Sequence, residues 1–206
     1  MARKTKEETK NTKELILQSA LDCFYEKGFS RTSFADIASR INLTKGAVYW
    51  HFKNKAELLV GLIYRQAQKS NAGIASRASN PESITALRNF FKCEAEYIEN
   101  TPELQKFIFF TLFQVEWSDS VFNEVENKIG EIRDFHFKTI KNALTKAQKN
   151  GEISAQSDIS IIATIIVSAW RGLINSFVSQ DLKFNLTPTF LEVFDAMVEK
   201  IETMKG

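Results

Sequence analysis

The sequence predicts an all-α fold, with about nine helices arranged in two parts. Apolar residues recur at intervals of three and four along most of the 206 residues, and no segment shows the period of two that strands require. Pro81 and Pro102 each follow a residue that can cap a helix, Asn80 and Thr101, which favours helix starts at both prolines. An apolar fraction of 44%, with 12% aromatic residues, is sufficient for a packed core.

The expected helices follow from this spacing and from the capping residues. The pattern predicts helices near residues 10–27, 33–41, 45–52, 55–77, 81–99, 103–116, 119–149, 157–180 and 188–204.

The second helix has a clear start and one apolar face. Ser33 can cap it, and Asp36 three residues later can bond back to the cap, as Glu or Gln does in a capping box. Four residues at helical spacing form a stripe that is expected to face the core: Phe34, Ile37, Ala38 and Ile41.

The third helix is short and is predicted to expose an unusual set of side chains. Asn42 and Leu43 form a tight turn, and Thr44 is the next capping candidate. Val48 and Phe52 are four residues apart and can pack inward. Two helices joined in this way, with small and polar residues at the start of the second, are typical of a helix-turn-helix that reads the major groove. The alternative is that its aromatic residues belong to the core and its lysines to a solvated face.

The residues expected to contact DNA form two groups, those whose side chains can reach base edges and those that can reach only the phosphate backbone. Base reading is expected from the second helix of the motif, and contacts to the phosphate backbone from the caps and flanking polar groups. Lys55 opens the fourth helix, so its ammonium and the helix N-terminus are expected to face one phosphate. The whole set is Ser33, Thr44, Lys45, Gly46, Ala47, Tyr49, Trp50, His51 and Lys55.

Several stretches resemble the DNA-binding domain of the TetR/AcrR family of bacterial transcriptional repressors, namely residues 20–28, 32–33, 36–38, 44–52 and 55–58. Residues 1–8 and 48–53 are similar to the branch whose members repress multidrug efflux pump genes. The resemblance implies a three-helix DNA-binding domain over residues 1–54 and a helical ligand-binding and dimerisation domain over residues 55–206. Some relatives use an arginine at the position of Ala35 to read a base, so base reading here is expected to rest on the second helix of the motif.

The charge distribution supports DNA as the partner of the first part. Residues 1–60 hold 11 Lys and Arg against 7 Asp and Glu, whereas the rest of the chain holds 16 against 18. Basic charge near the motif favours a polyanionic partner. The first fourteen residues, with five basic side chains, form either a flexible arm that touches DNA or a frayed solvated terminus.

The last two helices are predicted to form a dimer interface. Residues 159–178 are long and apolar enough for a membrane span, but Thr164, Ser168, Arg171 and Asn175 form a polar stripe with Arg171 in mid-span. A second subunit is the simpler cover, and the resemblance implies the same interface. The last helix adds Phe190, Phe194, Met197 and Ile201. The alternative is that both helices complete a monomeric bundle.

Clustered aromatic residues in the second part favour a lipophilic ligand. Thirteen of the 17 Phe residues lie beyond residue 60, although packing alone can account for any one of them. The predicted pocket residues are Phe107, Phe110, Phe113, Trp117, Phe137 and Trp170. A cationic ligand could be met by Glu94, Glu96 or Glu116.

The sequence favours no catalytic, metal or cofactor site. Cys23 and Cys93 are isolated, His51 and His136 are the only histidines, and no two glycines form a GxG pair. His136, between two phenylalanines, fits packing better than general-base catalysis. We therefore predict a protein that is not an enzyme, has no cofactor or metal and no membrane partner, and is cytoplasmic because no apolar leader precedes the first helix.

These observations favour a homodimeric repressor of an efflux or transport operon that leaves a palindromic operator when a small lipophilic or cationic molecule binds. The fourth helix, from Lys55 onward, is expected to act as the connecting lever. Two alternatives share the fold: an activator, and an effector-independent protein that organises chromosomes.

Overall fold

The computed structural model describes residues 6–75 and 80–203, and these residues contain nine α-helices and no strand. The helices are α1 (Lys6–Lys27), α2 (Phe34–Arg40), α3 (Lys45–His51), α4 (Lys55–Ala75), α5 (Ile84–Glu99), α6 (Pro102–Phe113), α7 (Asp119–Lys149), α8 (Ile159–Ser179) and α9 (Leu186–Thr203). The predicted all-α class is confirmed. Residues 1–5 of the predicted N-terminal arm, and residues 76–77 and 204 of the predicted helices, lie outside the described residues.

The start of α5 differs from the prediction. Its cap is Ser83, whose hydroxyl accepts a hydrogen bond from the backbone N–H of Ala86 at 3.0 Å. Asn80 and Pro81 precede the helix rather than open it. Two capping candidates stand close together here, and the Ser83 hydroxyl satisfies one of the free N–H groups of the first turn.

Glycine ends α1 where the chain must turn sharply toward α2. Gly28 has a φ of 85°, a left-handed conformation that costs glycine little, and its N–H donates to the carbonyl of Phe24 at 2.8 Å. The Thr32 hydroxyl donates to the carbonyl of Gly28 at 2.8 Å. Hydrogen bonds therefore hold the turn between α1 and α2 at its start, through the Gly28 N–H, and near its end, through the Thr32 hydroxyl.

The chain divides into two compact units, and α4, α6 and α7 each contribute residues to both. The first unit consists of Met1–Gln66 and Lys106–Gly130, and its core contains Phe24 stacked on Phe110, with ring centroids 5.1 Å apart. A methyl group on Gly61 would approach the Phe52 ring to 3.0 Å, so glycine lets α4 pass close to that ring. The predicted boundary after residue 54 stays a prediction.

The second unit consists of Ala67–Gln105 and Glu131–Gly206, and aromatic residues from three helices form its core. Phe91 of α5 is fully buried, and its ring centroid lies 4.7 Å from that of Phe190 and 5.3 Å from that of Trp170. Arg88 and Asp195 link α5 to α9 through two hydrogen bonds of 2.7 Å.

One face of α8 remains uncovered in this chain. Ile161 is 59% exposed and Ile165 is 52% exposed. By length and composition α8 could cross a membrane, but a core helix of a soluble protein passes the same test. Its exposed residues also include the predicted polar stripe of Thr164, Ser168, Arg171 and Asn175.

Candidate DNA-reading site

The N-terminus of α2 is held by the predicted capping box. The Ser33 hydroxyl accepts from the N–H of Asp36 at 3.2 Å, and the Asp36 carboxylate accepts from the N–H of Ser33 at 2.9 Å. Lys27 at the end of α1 donates to the other Asp36 oxygen at 2.5 Å. These hydrogen bonds, led by that from Lys27, hold the pKa of the Asp36 carboxyl well below its usual range.

The apolar stripe of α2 packs as predicted over its first two turns. Phe34, Ile37 and Ala38 are buried, and the Ser19 hydroxyl of α1 donates to the carbonyl of Ile37 at 2.9 Å. Ile41 is only half-buried, because the helix ends at Arg40 and Ile41 is its C-cap. The stripe is thus one residue shorter than the spacing suggested.

The turn between α2 and α3 is tight. Asn42 adopts a left-handed conformation with a φ of 54°, which asparagine tolerates better than most residues. The N–H of Leu43 donates back to the carbonyl of Ala38 at 2.9 Å. Thr44 then caps α3 by accepting from the N–H of Ala47 at 3.2 Å. Backbone and caps together set the angle between α2 and α3.

The exposed face of α3 carries most of the predicted DNA contacts. Val48 is fully buried, whereas Trp50 is 71% exposed and Tyr49 is 51% exposed. Trp50 is therefore not a core residue, which removes that alternative for it. Tyr49 still packs on Phe34 at 4.8 Å between centroids, and the ammonium of Lys45 lies 5.5 Å from its ring.

Glycine at position 46 is not required by packing within the chain. A methyl group there would meet only the Thr44 hydroxyl, at 3.8 Å. The backbone φ is not in the left-handed region either. The open space beside Gly46 and the half-buried Ala47 fits a close approach to a groove. His51 is half-buried, and the Trp50 ring packs edge-on against it at 4.6 Å.

Lys55 occupies a different environment from the one predicted. Its ammonium donates to the carbonyl of Phe29 at 2.7 Å and to that of Ser30 at 3.0 Å. It also lies 4.9 Å from the centre of the Phe29 ring. Burial lowers the pKa of Lys55, and the charge of Glu116 opposes this shift. Its phosphate contact stays a prediction, with two of its three donors engaged within the protein.

The structure divides the six predicted ligand residues between the two units. Phe107, Phe110, Phe113 and Trp117 belong to the first unit, and Phe137 and Trp170 to the second. Phe110 and Trp170 are buried among other aromatic rings and serve as packing residues there, so their role as ligand contacts stays a prediction. Phe113 and Trp117 are nearly half exposed, while Phe107 and Phe137 are half-buried.

The other polar candidates are engaged in the structure. Glu94 hydrogen-bonds to His136 through one carboxylate oxygen, with 2.7 Å between that oxygen and Nε2. Glu116 accepts a hydrogen bond from the Ser30 hydroxyl. Cys23 and Cys93 are buried and unlinked. Within the described part of the chain, no group of three or more His, Cys, Asp or Glu is arranged to hold a metal ion.

Sequence reasoning missed two features near the motif, one between neighbouring residues and one between distant residues. Asn54 caps the start of α4, because the N–H of Glu57 donates to Asn54 Oδ1 at 2.7 Å. The Glu57 carboxylate in turn accepts from the N–H of Lys53, the residue before the cap, at 2.7 Å. The spacing of three between Asn54 and Glu57 would have revealed the cap. No local pattern pairs Glu116 with Ser30, since the two are far apart in the sequence.

Two capped helices joined by a tight turn, with exposed aromatic and basic side chains on the second, define a helix-turn-helix DNA-binding protein. Residues 16–62 match the family described as bacterial regulatory proteins of the tetR family. Residues 16–62 therefore carry the DNA-binding domain of this family of transcriptional regulators, as the motif predicted.

Curated relatives and solved structures match this chain over most of its length. The chain is 27% identical over 195 residues to the probable acrEF/envCD operon repressor of Escherichia coli K12, covering 90% of this chain and 84% of that protein. The fold is similar to NalD of Pseudomonas aeruginosa, described as the secondary repressor of the MexAB-OprM multidrug efflux pump, with a TM-score of 0.77, 19% identity and coverage of 94% and 97% of the two chains. It is also similar to SmeT of Stenotrophomonas maltophilia in complex with triclosan, with a TM-score of 0.76, 25% identity and coverage of 92% and 91%.

Proposed function

We propose that the chain is a homodimeric, ligand-responsive repressor that binds a pseudo-palindromic operator and controls a multidrug efflux or transport operon. The observation that carries the proposal is the exposed face of α3, where Trp50 and Tyr49 lie in solvent beside Lys45. A short helix that exposes such side chains, on a scaffold closed by three caps, is built for a partner rather than for its own core.

The proposed reading surface has two kinds of contact. Lys45, Gly46, Ala47 and Trp50 lie toward bases, because they occupy the N-terminal and exposed sides of α3. The backbone phosphates are contacted by the caps and by ring or hydroxyl donors: Ser33, Thr44, Tyr49 and His51.

The uncovered face of α8 supports a dimer. Ile161 and Ile165, together with Met197 of α9, line an apolar groove of about 350 Å³. A second copy that packs α8 and α9 against this face would remove the exposed isoleucines from water. The two α3 helices of such a dimer, related by a two-fold axis, would then lie about 34–36 Å apart, which is one turn of the double helix.

Effector control is proposed from the relatives. The E. coli relative is a probable operon repressor, NalD represses an efflux pump, and SmeT has been solved with triclosan, a small lipophilic molecule. The aromatic residues of this chain suit a ligand of that kind, and the proposed contacts are Phe107, Phe113 and Trp117 of the first unit, which the core does not bury fully. The protein acts in the cytoplasm, where the operator is, and catalyses no reaction.

The test is an electrophoretic mobility shift with DNA from upstream of the gene for this chain, with and without triclosan. The expected result is a retarded band at nanomolar protein, about 10⁻⁸ to 10⁻¹¹ M being usual for specific sites, that is lost when triclosan is added. Trp50→Ala is the matched control, since it alters only an exposed side chain and should shift the DNA only at a protein concentration about 5- to 150-fold higher. A band that forms equally on unrelated DNA would contradict the proposal.

A further inference from the structure

Within the first unit, the connection between α6 and α7 is hydrogen-bonded to the turn between α1 and α2. The side-chain amide of Gln114 donates to the carbonyl of Tyr25 at 3.0 Å, and the N–H of Phe29 donates to the Gln114 carbonyl at 3.4 Å. The Ser30 hydroxyl donates to the carboxylate of Glu116. This connection therefore holds the turn at two points, Phe29 and Ser30, and the last turn of α1 at a third, Tyr25.

Lys55 holds the same turn from α4. Its ammonium donates to the carbonyls of Phe29 and Ser30, at 2.7 and 3.0 Å, and faces the Phe29 ring. Hydrogen bonds from a charged donor are the stronger kind. An ammonium that turned to a DNA phosphate would give up these bonds and leave two carbonyls in need of new partners.

The position of this turn decides where the reading helices point. The turn leads directly into Ser33, whose capping box starts α2, and α2 and α3 are joined by a tight turn with its own hydrogen bonds. A loosened turn would let the α2–α3 pair change its angle to the rest of the first unit. Groove reading is sensitive to such changes, because several contacts must form together.

We propose that Lys55 is a positioning residue for DNA binding, which fixes the turn between α1 and α2 together with Ser30 and Glu116 and makes no phosphate contact. The inference rests on the proposed function, since it concerns how the DNA-reading helices are aimed. It assigns to Glu116 a part in DNA binding although its charge has the same sign as DNA.

The salt dependence of operator binding separates the two roles of Lys55. Removal of one phosphate contact lowers the slope of log Kobs against log salt by about 0.9. Lys55→Met keeps the length of the side chain without its charge, and it should weaken binding about tenfold at every salt concentration with the slope of the unaltered chain. A slope reduced by about one contact would overturn the inference.

Two further lysine variants serve as controls. Lys53→Met removes the same charge from an exposed side chain two residues earlier, at a site that is open to a phosphate contact. The unchanged slope expected for Lys55→Met is compared with the slope of this variant. Lys55→Arg can still donate to both carbonyls and should bind within about threefold of the unaltered chain. Failure of arginine to restore binding would count against positioning by these hydrogen bonds.

Glu116→Gln gives a test of opposite sign. Loss of a negative charge should strengthen DNA binding if only charge matters, whereas positioning predicts binding about three- to tenfold weaker. The double variant with Lys55→Met should be weaker by less than the product of the single effects, because both act on one turn. Glu7→Gln removes an exposed carboxylate from the first turn of α1, at the opposite end of that helix from the turn, and serves as the charge-matched control.

Thermal unfolding of each variant shows whether it remains folded. If the lysine variants do not fold, Ser30→Ala takes their place, because it removes only an exposed hydroxyl. Ser30→Ala should also weaken binding, by a smaller factor. Binding as tight as that of the unaltered chain by both Ser30→Ala and Glu116→Gln would overturn the inference. Failure of the unaltered chain to bind the operator would instead overturn the proposed function.

Discussion

The aromatic residues of the two units differ in what they contact. In the first unit, α3 leaves Trp50 and Tyr49 mostly in solvent, while the second unit buries Phe91 and Trp170 within its own core. An exposed aromatic residue with little packing role points to a partner, whereas a buried one is already explained by stability. Exposure therefore identifies the site on α3, whereas packing alone accounts for Phe91 and Trp170.

The largest effect on stability is expected in the buried aromatic cluster around Phe91 in the second unit. Phe91→Ala should reduce the free energy of unfolding by about 3–5 kcal/mol, because a fully buried ring leaves a cavity among Trp170, Phe190 and Phe194. Chemical denaturation measures the loss. Phe113→Ala, which removes a ring that is 47% exposed, is the control and should cost much less. Equal losses would contradict the division between packing and exposed rings.

The next effect is expected on α3, where binding and stability should separate. Trp50→Ala should weaken operator binding by about 1–3 kcal/mol. The free energy of unfolding should change by no more than about 0.5 kcal/mol, because the indole is 71% exposed. Fluorescence anisotropy with labelled operator and denaturation of the free protein give the two values. Unfolding that is strongly destabilised would show that Trp50 is a packing residue.

The sequence predicted features that depend on neighbouring residues. The caps Ser33 and Thr44, the buried Val48 and the start of α4 follow from spacings of three and four, which act within one or two helical turns. The predicted start of α5 at residue 81 was wrong, because Asn80 and Ser83 are both plausible caps and only tertiary structure selects between them.

Features that depend on distant residues could not be predicted. Lys55 opens a helix at a site where phosphate is a reasonable partner, but the carbonyls that it meets lie 26 and 25 residues earlier. The six predicted ligand residues were chosen from the clustering of aromatic residues, which does not say which of them line a void. Phe110 and Trp170 illustrate this, since both fill cores.

A smaller effect is expected at the cap of α2. Ser33→Ala should lower the free energy of unfolding by about 1 kcal/mol, because the N–H of Asp36 loses its acceptor. Ser39→Ala, at an exposed position inside the same helix, should be neutral or slightly stabilising. Thermal or chemical unfolding of both variants measures the difference. Equal effects would show that the capping box contributes little.

The smallest effect concerns the carboxylate of Asp36. Its pKa in the folded protein is below the unfolded value of about 3.9, so it stabilises the fold above that pH and this contribution is lost as the pH falls through the folded pKa. Asp36→Asn should therefore be destabilised relative to the unaltered chain at pH 7, with a gap that narrows below about pH 4. Unfolding curves across this range measure the gap, and a gap independent of pH would contradict the account.

The central claim, that two copies of the α2–α3 pair read one operator, is tested most directly by hydroxyl-radical footprinting on DNA upstream of the gene. Two protected tracts are predicted on one face of the duplex, with centres about one helical turn, 34–36 Å, apart, and both should require a higher protein concentration with Trp50→Ala. A single tract, or uniform protection that Trp50→Ala leaves unchanged, would contradict the claim.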